Sequence, residues 1–189
     1  MSKFRHGFKA EAEYYAELYR KELNLESHDP LCPWELAAYL DVPVRGLSTH
    51  PAIPKDVKKF WLSNSENTFS GLIINDGTYK EIVHNDAQIE ARQISNIFHE
   101  IAHIALGHPL FNPILPSGER DYNQGIEDEA RWFGATLMLP KTAIVYIILQ
   151  SLSKVQIEKI YGASNQMFQF RVNVTDAVRA ASNIRRKYG

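Results

Sequence analysis

The sequence predicts an α+β fold, mostly helical, with a small antiparallel sheet. Helical periodicity fills both ends of the chain, and one pair of strand-like runs, Phe69 to Ile74 and Tyr79 to Val83, flanks Asn75-Asp76-Gly77-Thr78. The most regular amphipathic helix follows that hairpin directly. The 189 residues are 44% hydrophobic and 23% charged, which suits one sizeable core. A formal net charge of −1 gives no global attraction to nucleic acid or membrane.

From Phe8 to Leu23 apolar residues recur every three or four positions between Glu, Lys and Arg, the pattern of a half-buried helix. His28-Asp29-Pro30 ends it, and Pro33 opens a short helix from Trp34 to Leu40. Val42-Pro43-Val44 reads as an extended edge piece, and Pro54 to Leu62 as another short helix. Asp-Gly between the two strand-like runs marks a hairpin. Asn85 or Asp86 is placed to cap a long helix to about Leu106, which Gly107 and Pro109 stop. Residues 108–124 read as a loop, residues 125–138 as a helix halted by Pro140, and a further helix runs through Leu149. Three short helical patterns follow: Lys154 to Tyr161, Asn165 to Val172 and Thr175 to Lys187. The organisation expected is a main domain over residues 1–150 and a helical region over residues 151–189.

The chemistry concentrates in His99-Glu100-Ile101-Ala102-His103. Histidines four apart on a helix share one face, so both imidazoles can reach one ion. The glutamate between them lies where it can take a proton from a water that the ion activates. Ile94, Ile97, Phe98, Ile101 and Ala105 form an apolar stripe that would hold the helix rigid. A catalytic zinc needs a third protein ligand and an open position. A third histidine six residues after His103 is excluded, because that position is Pro109. The next helix begins with Glu127, Asp128 and Glu129, of which Glu127 and Glu129 point about 200° apart, so only one can face the ion.

The run from His99 to His108, followed by Glu127-Asp128-Glu129-Ala130-Arg131-Trp132-Phe133-Gly134-Ala135 and an apolar stretch ending at Pro140, resembles the ImmA/IrrE-type metallopeptidases. Their pattern is H-E-x-x-H, then E-x-x-A-x-x-F-A, then an apolar run to a proline. The segment from Ile82 to Asp86, with Arg92, Gln93 and Asn96, is similar as well, and the resemblance spans most of residues 8–175. It implies a zincin-like fold, a zinc ion held by His99, His103 and Glu127, and Glu100 as the catalytic base. Gly134 departs from the usual alanine, which is expected to loosen the helix. The resemblance further implies a regulatory endopeptidase that cleaves a helix-turn-helix transcriptional repressor, in gene regulation or a stress response. The alternative is a non-enzymatic regulator that binds its partner through this fold and keeps the zinc site.

Tyr122 and His108 are candidates for the donor that steadies the oxyanion, each with a plain structural reading beside it. His84 reads as a strand-end residue, and Cys32 as a small apolar filler before a fourth ligand. Trp34, Trp61 and Trp132 read as core. Val155 to Ser164 resembles the opening of a helix-turn-helix, and Arg171, Arg179, Arg185, Arg186 and Lys187 give that end a basic bias. Direct DNA contact there is the functional reading; a helical appendage packed on the main domain is the simpler one. One cysteine permits no intrachain disulfide, Met1 to Ala10 lacks the apolar core of a signal peptide, and Ala143 to Leu149 is too short to span a bilayer. A cytoplasmic protein with no membrane partner is expected.

Overall fold

Along the first helix, α1 (Phe8–Glu22), the buried face is Phe8, Ala12, Ala16 and Arg20, a strict four-residue recurrence. The computed structural model describes residues 4–63, 69–110 and 123–188. Arg20 lies within the apolar stripe because its guanidinium serves backbone carbonyls. It donates to Leu137 O at 2.9 Å, Asp29 O at 2.8 Å and Ala16 O at 3.0 Å. Tyr15, expected on the inner face, is exposed.

Pro33 starts α2 (Pro33–Tyr39) as the first-turn proline it resembles. Strand β1 (Val44–Gly46) and a single 3-10 turn (Leu47–Thr49) lead to α3 (Lys55–Ser63). The hairpin forms as the Asp-Gly pair indicates, joining β2 (Gly71–Asn75) to β3 (Lys80–His84). Asp76 Oδ1 accepts from the Thr78 and Tyr79 amides at 3.0 and 2.7 Å, and Gly77 takes φ 96°.

The sheet is mixed, in the order β1-β3-β2. β2 and β3 pair antiparallel with Ile73 opposite Ile82, while β1 runs parallel to β3 with Val44 opposite Ile82. Strand β3, which takes up most of the run from Tyr79 to Val83, is therefore central. The edges are β1 and β2. Ile82 and Val83 are wholly buried, as a central strand requires.

The long helix α4 (Glu90–Ala105) begins at Ile89, later than Asn85 or Asp86 would place it. Both candidate caps are engaged elsewhere. Asp86 Oδ1 accepts from the Ser48 amide at 3.0 Å, and Asn85 Oδ1 turns the chain by accepting from Ala87 N at 3.1 Å. Ile97, Phe98, Ile101 and Ala102 of α4 are fully buried against the sheet and α5 (Gln124–Met138). Asn123 caps α5 through its side-chain oxygen.

The remaining helices are α6 (Lys141–Leu149), α7 (Lys154–Tyr161), α8 (Asn165–Val174) and α9 (Ala177–Tyr188). A capping box at Ser153 and Gln156 starts α7, and Gly162 ends it at φ 64°. Ile157, Tyr161, Ala163 and Ala177 join the core that α1, α4 and α5 form. Arg171 of α8 is fully buried, donating to Leu139 O at 2.8 Å and pairing with Glu13 at 2.5 Å. It is withdrawn from any surface that DNA could meet. Trp132 is buried and Trp61 half-buried, whereas Trp34 stands exposed. Among the described residues no single helix is long and apolar enough to cross a membrane. The α5–α6 pair passes on length and composition, but it is bent by 41°.

Candidate metal centre

Two helices set the site. His99 and His103 stand one turn apart on α4, and Glu127 enters from the first turn of α5. Glu127, Ala130 and Gly134 recur at intervals of three and four, so they share the face of α5 that meets α4. That face is small in the middle: Ala130 is fully buried, and a Cβ at Gly134 would lie 3.0 Å from Phe98 O. The helices come close enough for a glutamate side chain to reach both histidines.

Three ligand atoms converge. His103 Nε2 is 3.2 Å from His99 Nε2, Glu127 Oε2 is 3.3 Å from His99 Nε2, and Glu127 Oε1 is 3.6 Å from His103 Nε2. A tetrahedral zinc with bonds of about 2.0–2.1 Å keeps its ligand atoms roughly 3.3–3.4 Å apart. The residues fit the ion. They are the one group of at least three candidate metal-holding side chains found among the described residues.

Their protonation suits ligation. Burial, then the neighbouring His99, pushes His103 down to about 4, so its imidazole is neutral at ordinary pH. The hydrogen bond from His99 holds the Glu127 carboxyl below its usual range against the opposing effect of burial. His103 thus offers a neutral imidazole and Glu127 a carboxylate. The side chains of His99 and Glu127 keep 26% and 23% exposure against 10% for His103. Among the described residues the His99–Glu127 side of the trio is therefore the more exposed one, the kind of approach that a water on a catalytic ion requires.

Glu100, the residue after His99 in α4, lies against the start of β2. Its Cγ and Oε1 would each be 3.4 Å from a Cβ at Gly71, the first residue of β2. The chain entering β2 is fastened to α4 at this level. Asn96 Nδ2 of α4 lies 3.5 Å from Ser70 O and donates to Gln88 Oε1 at 2.7 Å, while Asn85 Nδ2, before the helix, donates to Phe69 O at 3.2 Å. Asn96 stands one turn before Glu100. The edge strand β2 and the carboxylate of Glu100 thereby lie against each other.

Glu129, the rival third ligand, faces away from the trio: its Oε2 lies 3.4 Å from His108 Nε2. His108 Nδ1 is 3.1 Å from His103 Nδ1, so both of its ring nitrogens have partners behind the ligands. Tyr122 lies outside the described residues. Cys32 precedes α2 and lines a cavity of about 650 Å³ with Trp34, Ile89 and Tyr161, away from the histidine cluster. His84 is buried at the end of β3 beside Trp34. The contact between His108 and His103 escaped sequence reasoning, since five-residue spacing past a helix end predicts no meeting.

The family model of the IrrE N-terminal-like domain, a peptidase family, matches residues 59–173. The matched span contains both helices of the site and the β2–β3 hairpin. No curated protein and no solved structure matches the chain.

Proposed function

This chain belongs to the IrrE N-terminal-like peptidase family, and we propose that it works as a zinc-dependent endopeptidase with a regulatory protein substrate. The observation that carries the reading is the convergence of His99, His103 and Glu127 at ligand-to-ligand distances of 3.2–3.6 Å beside Glu100. Zinc held by His99 Nε2, His103 Nε2 and the Glu127 carboxylate would supply Lewis acidity to an attacking water and to the peptide carbonyl. Glu100 takes one proton from that water as its oxygen bonds to the carbonyl carbon. The same carboxyl returns the proton to the amide nitrogen as the C–N bond breaks. Glu127 contributes its negative charge, and the imidazoles of His99 and His103 complete the ligand set.

Substrate placement falls to β2. Among the described residues it is an outer strand of the sheet, lying against Glu100, with β3 paired along its other edge. An extended peptide pairing with β2 would set its carbonyls beside Glu100 through backbone hydrogen bonds. Such pairing reads backbone more than side chains, which suits cutting inside an exposed, unfolded stretch of a protein. The expected substrate is a helix-turn-helix repressor, carried by the family resemblance.

The test is co-expression with a candidate helix-turn-helix repressor, using wild type, Glu100→Gln and wild type treated with a chelator. Cutting by untreated wild type alone supports the reading. A partner that stays whole with all three but co-purifies with the chain favours the non-enzymatic regulator instead.

A further inference from the structure

We infer that His108 and Glu129 form a positioning relay that fixes the tautomer and ring orientation of the ligand His103. The inference rests on the metal-site reading above and goes beyond it. His103 turns Nε2 toward His99 Nε2, at 3.2 Å, and Nδ1 toward His108 Nδ1, at 3.1 Å. His108 in turn has Nε2 at 3.4 Å from Glu129 Oε2.

Chemistry allows one arrangement of protons along this chain. A histidine that offers the Nε2 lone pair to a metal carries its hydrogen on Nδ1. That hydrogen must be accepted by His108 Nδ1, so His108 keeps its own hydrogen on Nε2. Glu129 is the acceptor for that second hydrogen. Each N–H in the path, on His103 Nδ1 and on His108 Nε2, thus meets an atom that can only accept. The opposite assignment would set two N–H groups against each other at 3.1 Å.

The surroundings suit such a device. His103 and His108 are both buried, and Glu129 is more exposed than either, at 22% for its side chain. The relay therefore runs from the ligand outward to a carboxylate at the surface. It also spans two helices, since His108 follows the end of α4 and Glu129 sits in α5 two residues after Glu127. Glu127 and Glu129 point to opposite sides of α5, so one helix supplies a ligand on one side and the support for another ligand on the other. Outer partners of this kind raise ligand basicity and stop the ring from rotating.

The experiment uses the full chain loaded with zinc. Long-range nitrogen–proton correlation spectra of the wild type report histidine tautomers directly. The expected result is His103 protonated on Nδ1 and His108 neutral and protonated on Nε2. Zinc affinity is then measured by chelator competition. His108→Phe is expected to bind zinc about 10–100-fold more weakly. His108→Asn, whose amide oxygen can occupy the place of Nδ1 and accept the same hydrogen, should recover most of that loss. Finding His108 protonated on Nδ1 overturns the relay, with no variant needed. Equal zinc affinity for His108→Phe and wild type overturns it too. A wild type that takes up no zinc at all removes the metal-site reading together with the relay, whereas zinc uptake with the wrong His108 tautomer removes the relay alone.

Discussion

A Cβ at position 134 would stand 3.1 Å from the backbone nitrogen of His99, so Gly134 is where α5 rests on the helix that carries the first ligand. From sequence, a glycine in place of the usual alanine reads as a weak point in the helix. The packing gives it another role: the absent side chain lets Glu127, two turns earlier, reach across. Its neighbours here are backbone atoms, Phe98 O and C and His99 N, which cannot swing aside as a side chain can.

Substitution at this position should therefore separate helix propensity from site geometry. Gly134→Ala gains up to about 1 kcal/mol of propensity in a free helix, but that gain should not appear in its unfolding midpoint. Gly134→Val should cost about 1–3 kcal/mol by overpacking. Both should weaken zinc binding in chelator competition, the valine more. A valine variant with native zinc affinity would show that the interhelical distance does not set the site.

The contact between Gly71 and Glu100 leads to a kinetic prediction. A Cβ there meets Glu100 at 3.4 Å, ordinary contact that alanine can make, while the branched methyls of valine reach further toward the carboxylate. Valine is at home in a strand. Gly71→Val should keep its zinc and its fold yet lower kcat by about tenfold or more, within the range that a displaced general base commands. Gly71→Ala should stay near wild type. Unchanged turnover in Gly71→Val would mean that Glu100 does not need this face of β2.

Much of this was legible in the residues because the signals are local. Asp76-Gly77 specified its own turn, α4 and α5 announced themselves by periodicity, and the spacing of His99 and His103 put both imidazoles on one face. What stayed hidden depends on distant partners. The parallel pairing of Val44 with Ile82 joins segments that carry no mark of each other. The true start of α4 moved to Ile89 because Ser48 competes for Asp86. Arg20 looked like a solvated charge between apolar neighbours, and only the carbonyls at the end of α5 explain its burial. Helical spacing alone left Glu127 and Glu129 as rivals, and only the family resemblance pointed to Glu127, because the angle at which α5 meets α4 depends on packing.

The two buried arginines should differ in importance. Arg20 donates to carbonyls of Ala16, Asp29 and Leu137, with Met138 O at 3.4 Å, and so serves last-turn carbonyls of α5 that have no intrahelical partner together with a loop carbonyl at Asp29. Arg171 serves Leu139 O and Glu13, and Glu13 keeps a second donor, Lys141 N, at 2.8 Å. Replacing either by methionine keeps bulk but orphans buried carbonyls, at about 1–3 kcal/mol for each group left without a partner. Urea unfolding should rank Arg20→Met as more destabilised than Arg171→Met. The reverse order would mean that the Arg171–Glu13 pair holds α8 down more firmly than hydrogen-bond geometry indicates.

Acid should weaken the fold partly through His84. Burial pushes this histidine below its ordinary 6.5, with Asp86 opposing only in part, and its Nδ1 has no hydrogen-bond partner. The neutral ring is the form that the fold accepts. Once pH falls below 6.5 the unfolded chain binds a proton here that the folded chain resists, so unfolding takes up protons and stability declines. The contribution is intact above that pH and is lost progressively as pH drops toward the depressed folded-state value. His84→Phe removes the titration while keeping a ring against Trp34, and the other buried histidines remain common to both proteins. Denaturant unfolding of the metal-free proteins between pH 7.5 and pH 5 should show wild type losing more stability than His84→Phe, whatever their absolute difference at pH 7.5. Parallel losses would mean that His84 is protonated as readily in the folded chain as in the unfolded one.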